Sequence, residues 1–279
     1  MFRLKIFGKE TVSGFVAKGY AYQRFASMYV PYLVLAHPDG EDYVPLIGYV
    51  SMVFDGVFCP NCFKETSLVP GLNLCEDCAS TDYGLWRKCV LFGAGAAFGE
   101  CLGDSCPISF AKFCKREHVV YIASFGDVIK VGISALNRDG ADNGFLYRLL
   151  DQGADNAVVI SGGFKMWEAH HIEKEIADSY GLKTSVSFTT KLSSLSYDSI
   201  SLRDLLYLAE EVATRYNGKI IWSGSFEWLT PSDFSNPTDE LRGFVYGWKG
   251  NIIFLEQDGE IRPMNLKSVN NRGLICWEV

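Results

Sequence analysis

The chain has 279 residues, with 26 Lys+Arg against 33 Asp+Glu for a formal net charge of −7, and nine cysteines. At 48% apolar, 14% aromatic and 21% charged residues, it carries too much core-forming material for a disordered chain. The acidic balance excludes a protein that coats nucleic acid by bulk charge, though not one with a local basic groove; at roughly 100–200 residues per domain, the length predicts two or three units.

The first six residues, Met1-Phe2-Arg3-Leu4-Lys5-Ile6, mix charges with apolar side chains and do not read as a secretory signal. No apolar run approaches the roughly 18 residues of a spanning helix, so no membrane partner is expected. Residues 15–57 read as strands, broken at His37-Pro38-Asp39-Gly40 by a hairpin turn. Residues 58–117 are rich in Cys, Gly and turn formers, with little apolar periodicity. Such a segment cannot bury enough surface alone and needs a staple.

Residues 119–123 and 128–133 are predicted strands joined through Ser124-Phe125-Gly126-Asp127. A helix opens over 145–150 and a third strand runs over 158–161. The spacing of Ala169, Ile172, Ile176 and Tyr180 predicts a helix over 166–180. Ser201 caps the next helix, whose stripe is Leu202, Leu205, Leu206, Ala209, Val212 and Tyr216, and Asn217-Gly218 ends it. Strands follow at 219–222, 243–248, 251–257 and 260–266, with Lys249-Gly250 and Asp258-Gly259 as turns.

Eight of the nine cysteines lie within 56 residues, from Cys59 to Cys114. In a soluble cytoplasmic protein, the setting expected here, such a cluster binds metal rather than forming disulfides. Cys59-Pro60-Asn61-Cys62 and Cys75-Glu76-Asp77-Cys78 are separated by 12 residues. Two such knuckles place four thiolates around a tetrahedral zinc with no position left for water, so the role is structural. Cys89, Cys101, Cys106 and Cys114 follow at irregular spacings of 11, 4 and 7 residues. They suggest a second closed zinc site, in which His118 is a candidate replacement for one cysteine; the alternative is a set of buried reduced thiols acting as small hydrophobes. Cys276, among Leu274, Ile275 and Trp277, is read as a packing residue.

Glu173 falls between Ile172 and Ile176 on the apolar side of its helix, where a carboxylate either reaches solvent at the stripe's edge or needs a partner or a metal. Lys130, Arg138 and Arg148 are the candidate partners. Residues 111–150 hold six Lys/Arg and four Asp/Glu, a locally basic stretch in an acidic chain.

Val119-Val120-Tyr121-Ile122-Ala123 followed by Ile129-Lys130-Val131-Gly132-Ile133-Ser134 resembles the two-strand signature of the GIY-YIG nuclease superfamily. Cys106, Cys114, His118, Tyr121, Lys130-Val131-Gly132, Arg148, Asp151-Gln152-Gly153-Ala154 and Ile172-Glu173 resemble more closely the domain-of-unknown-function family 2797, which couples a cysteine-rich segment to a GIY-YIG-like module. Residues 58–180 carry the resemblance, and Gly247-Trp248-Lys249-Gly250 extends it weakly. The closer family has no assigned activity to carry over. The superfamily implies metal-assisted phosphodiester hydrolysis, with Tyr121 helping to activate water, an arginine stabilising the phosphorane-like charge and Glu173 holding one Mg²⁺ or Mn²⁺. Arg138 suits the nuclease spacing and Arg148 the closer family. Lys130 stands where the second tyrosine is expected and Val119 where the first glycine is expected. A lysine can contact phosphate but does not replace a phenol as proton relay without a lowered pKa.

The expected layout is therefore a multi-domain α+β protein. It has an N-terminal β region (1–57), a zinc-ribbon-like segment (58–117), a GIY-YIG-like module (118–190) and a C-terminal helix with a small β-rich domain (191–279). The expected partner is nucleic acid, RNA or a ribonucleoprotein before duplex DNA. The readings differ on whether the module cleaves it, only binds it, or serves as a protein adaptor.

Overall fold

The computed structural model describes residues 15–25, 28–137 and 143–278, the last four of these by backbone alone. In chain order, four strands come first: β1 (Val16–Phe25), β2 (Met28–His37), β3 (Gly40–Pro45) and β4 (Tyr49–Asp55). Three helices follow, α1 (Glu76–Ala79), α2 (Asp82–Phe92) and α3 (Ala111–Cys114). The hairpin β5 (His118–Phe125) and β6 (Val128–Ala135) leads to α4 (Gly144–Gln152), β7 (Asn156–Phe164) and α5 (Met166–Tyr180). Then come α6 (Phe188–Ser193), α7 (Leu202–Arg215) and β8 (Lys219–Ser225). The chain closes with β9 (Leu241–Lys249), β10 (Ile252–Gln257), β11 (Glu260–Asn265) and β12 (Gly273–Glu278).

These elements build a mixed α/β protein with two antiparallel sheets, divided into two compact units. One unit gathers the described residues up to Cys78 with those from Trp228 onward; the other runs Ala79–Glu227. The first contains an eight-stranded sheet in the order β11-β10-β9-β4-β12-β1-β2-β3. Strand β4 pairs with β9 on one side and β12 on the other, and β12 pairs with β1. The N-terminal and C-terminal β segments are thus one sheet with one core, which includes Leu33, Leu35, Val50, Met52, Leu241, Ile253, Leu255 and Met264. This differs from the expected layout, in which they were separate domains. The reason is non-local pairing, which hydrophobic alternation cannot encode. The Pro-Asp-Gly turn does join β2 to β3, with His37 opposite Gly40. Within the Gly247-Trp248-Lys249-Gly250 run, an added side chain at Gly247 would meet the Leu229 carbonyl at 2.0 Å, and Trp248 Nε1 donates to Tyr29 O at 2.8 Å.

The second unit holds a four-stranded sheet, β6-β5-β7-β8, antiparallel throughout. Successive side chains of a strand point to opposite faces, so β5 divides the core in two. Val120 and Ile122 pack with Val131, Val158 and Ile160 beneath α5 and α7. Val119, Tyr121, Ala123 and Phe125 pack with Phe145 and Leu149 of α4. Helix α7 begins as its sequence predicts, with Ser201 Oγ accepting from Asp204 N at 3.2 Å. The expected C-terminal segment does not stay together, because α7 and β8 complete this sheet and its core. Helix α2 lies within the segment read as irregular; its weak amphipathicity hid it. No helix among the described residues is long and apolar enough to cross a membrane.

Candidate metal centre and the central sheet

Two tight turns present the first cysteine set. In the first, Cys59 N donates to Lys64 O at 3.0 Å and Phe63 N to Cys59 O at 2.8 Å, with Phe63 in the left-handed region (φ 59°). In the second, Val69 N donates to Leu74 O at 2.7 Å around Gly71 and Asn73, both at positive φ, and the buried Leu72 and Leu74 anchor the turn. Helix α1 then carries Cys78. The ligand atoms of Cys59, Cys62, Cys75 and Cys78 all lie within 4.8 Å of one another, and three of the four residues are buried.

Hydrogen bonds to sulfur complete this arrangement. Cys75 N donates to Cys59 Sγ at 3.4 Å and Asn61 Nδ2 donates to Cys78 Sγ at 3.3 Å. Burial works to raise the Cys59 thiol, but bonds from the backbone N–H groups of Cys75, Asn61 and Cys62 hold it down at about 6. Asn61 opposes, yet burial and the other three cysteines push Cys78 up to about 12. Four such sulfurs cannot all ionise together unaided; a dication at their centre removes the conflict. The cluster can hold a metal ion such as zinc. Asn61, between the knuckle cysteines, is a supporting residue that spacing alone does not single out.

The second cysteine set converges more loosely. Cys89 on α2, Cys101, Cys106 and Cys114 on α3 all line one small pocket, closed by Met166 and Trp167 at the start of α5. Burial and the neighbouring Cys89, Cys106 and Cys101 push the Cys114 thiol up to about 11, with Trp86 opposing. His118 is not among the pocket residues: its Nδ1 pairs with Arg116 O at 2.9 Å. Cys276 falls in β12, where only the backbone is described.

In the central sheet, Tyr121 and Lys130 meet. Tyr121 is 0% exposed, and its hydroxyl is bracketed by Gln152 Nε2 at 2.8 Å and Lys130 Nζ at 3.0 Å. Lys130, 6% exposed, also donates to Val131 O at 3.3 Å. Gly132, opposite Tyr121 in the ladder, has no room for a side chain. A Cβ there would lie 2.3 Å from Tyr121 Oη and 2.7 Å from Lys130 Nζ. Gln152 ends α4 just before Gly153, whose left-handed φ of 77° stops the helix. The Asp151-Gln152-Gly153-Ala154 run thus combines a helix stop with a buried partner for Tyr121.

The other expected members lie elsewhere. Glu173 belongs to α5, which packs on the Val120–Ile122 face, whereas Tyr121 faces α4. Its carboxylate is paired with His170 Nδ1 at 3.3 Å. Arg148 is exposed on α4, and Arg138 lies outside the described residues.

A surface beside the second cysteine set was not foreseen. Trp86 and Phe110 stack with centroids 5.8 Å apart and planes at 27°, and Phe110 and Phe113 stack at 5.8 Å and 29°. Tyr83 packs edge-on against Phe110 at 5.5 Å. Arg116 lies 4.4 Å and Lys112 5.3 Å from the Phe113 ring centroid. All four rings are half-buried, and residues 83–116 contain five Lys/Arg against two acidic residues. The sequence signal was Phe110-Ala111-Lys112-Phe113-Cys114-Lys115-Arg116, a basic–aromatic alternation.

No curated protein and no solved structure matches the chain. A family model described as "Protein of unknown function (DUF2797)" matches residues 49–221, more than half of the sequence. The chain therefore belongs to the DUF2797 family.

Proposed function

We propose that this chain is a zinc-stabilised, non-catalytic, cytoplasmic protein that binds single-stranded RNA, alone or within a ribonucleoprotein. The observation that carries the reading is the ring stack of Trp86, Phe110 and Phe113 flanked by Arg116 and Lys112. Half-buried aromatic planes beside cations match what unpaired bases and their phosphates require, and base–aromatic stacking contributes about 1–3 kcal/mol per base. The local positive charge offsets the chain's net −7 where contact would occur. Zinc at Cys59, Cys62, Cys75 and Cys78 is structural in this reading, since four thiolates leave no open coordination position.

The order hairpin, helix, strand, helix over residues 118–180 supports a GIY-YIG-like fold. Its chemistry is another matter. A phosphodiester must reach its catalytic groups, and Tyr121 is sealed in the core with its hydroxyl taken by Gln152 and Lys130. Glu173 is on the helix that covers the opposite face, so no Mg²⁺ or Mn²⁺ would join it to Tyr121. A fold of this kind without its chemistry is ordinary, because activity belongs to sites rather than folds.

The test is binding of labelled single-stranded RNA to the full chain across a salt series. We expect an affinity that falls with salt and drops about tenfold in Phe110→Ala, as losing one stacked base would cause. Binding of single-stranded DNA with equal affinity would remove the RNA preference, and no binding at low salt would end the reading. A protein partner is the second reading, favoured by Tyr49, Val53, Phe244 and Tyr246 exposed on adjoining strands β4 and β9.

A further inference from the structure

We infer that Cys89, Cys101, Cys106 and Cys114 bind a second Zn²⁺, and that this ion clamps α2 to α3 and so fixes the ring stack. Helices α2 and α3 and the loop between them bring these four cysteines, all within residues 89–114, to one pocket. Four soft sulfur donors select zinc among the common divalent metals.

The surroundings are built for such an ion. Trp86 Nε1 is buried, has no partner at full hydrogen-bond geometry and lies near enough to the Cys114 thiol to work against its rise, while the ring packs on the cluster of Cys89, Cys114 and Met166. An indole N–H in that position is a donor that a metal-bound thiolate would satisfy, the outer support that metal sites usually have. Among the described residues the apolar cluster here has Cys89, Cys114 and Met166 as its buried members with Trp86, Ala97, Ile133 and Trp167 partly buried against it, a small core that a metal would staple. Loop residue Asp104 is tied from two sides, by Lys165 Nζ at 3.0 Å to its carboxylate and by Lys115 Nζ at 3.0 Å to its carbonyl. These contacts tether the loop that carries Cys101 and Cys106 beside the pocket.

The set is nevertheless open. Cys89 and Cys114 are buried, Cys106 is half-buried and Cys101 is exposed, and among the described residues only the first set has all its sulfurs within 4.8 Å. Two ligands are thus fixed on helices, and two ride on a loop that must close. Binding ionises the four thiols, releasing their protons to solvent as four Zn–S bonds form. Because Trp86 and Cys89 share α2, and Phe113 and Cys114 share α3, that closure locks the two halves of the ring stack together. The metal site stands without the RNA reading; only the consequence for the stack's ligand rests on it.

The experiment is zinc content of the purified full chain by plasma emission spectrometry, with tryptophan fluorescence as the second readout. Two zinc ions per chain are expected for the native protein and one for Cys101→Ser/Cys106→Ser. Cys59→Ser/Cys62→Ser also loses one ion but leaves the fluorescence change on zinc removal from the second site intact. A native stoichiometry of one, or two ions retained by Cys101→Ser/Cys106→Ser, overturns the proposal. Should that variant misfold, thiol labelling of the native protein decides: Cys101 is expected to resist reagent until a chelator is added, and immediate labelling contradicts the site. Two zinc ions with no RNA binding would leave this inference standing while ending the RNA reading.

Discussion

The two faces of the central sheet make different use of the residues that resemble a nuclease signature. On the α4 face, Tyr121, Lys130, Gly132 and Gln152 interlock with no exposed tyrosine surface. On the α5 face, Glu173 pairs with a neighbour on its own helix. One strand's alternation sends Tyr121 to one face while α5, which carries Glu173, covers the other. Tyr121 is packed in the core on one side, and Glu173 contacts His170 along its own helix on the other.

The contrast can be broken most severely at Tyr121. Tyr121→Ala removes a fully buried aromatic ring and should destabilise the second unit by about 3–5 kcal/mol in denaturant unfolding. Loss of less than about 1 kcal/mol would mean that the ring is not core. Next is Gly132→Ala. Its Cβ would sit 2.3 Å from Tyr121 Oη, so overpacking should cost about 1–3 kcal/mol. The α5-face counterpart, Glu173→Gln, should cost well under 1 kcal/mol because its side chain keeps a hydrogen-bonding atom near His170.

Coupling sharpens the comparison further. In a double-mutant cycle, Tyr121→Phe and Glu173→Gln should add within about 0.5 kcal/mol, as expected for groups that share no partner. A larger interaction energy would place them in one network. The smallest effect concerns pH. Burial holds the His118 imidazole below its ordinary value; the Arg116 carbonyl opposes this, and His170 adds to it. The unfolded chain therefore binds a proton near pH 6.5 that the folded chain still refuses, so stability falls as pH drops below about 6.5. His118→Asn should flatten that slope, and an unchanged slope would assign it to other groups.

How much of this was legible in the sequence differs by region for physical reasons. The first cysteine set was readable because each knuckle is local and the 12-residue gap is short. Helices 166–180 and 202–215 follow from their apolar spacing and, for the latter, the Ser201 cap. The eight-stranded sheet was not readable as one unit, since β4 and β12 pair across more than two hundred residues. The closed state of Tyr121 was hidden as well. It depends on Gln152 arriving from the end of α4 and on Gly132 leaving space beside it, both matters of tertiary packing. The ring stack was missed for the same reason, because Trp86 and Phe110 meet only when α2 and α3 come together.

The most direct measurement is a combined binding and turnover assay of the full chain with single-stranded RNA in Mg²⁺ or Mn²⁺. The account predicts salt-dependent binding that Phe110→Ala weakens about tenfold, with the RNA left intact. Metal-dependent cleavage that Glu173→Gln abolishes would contradict it.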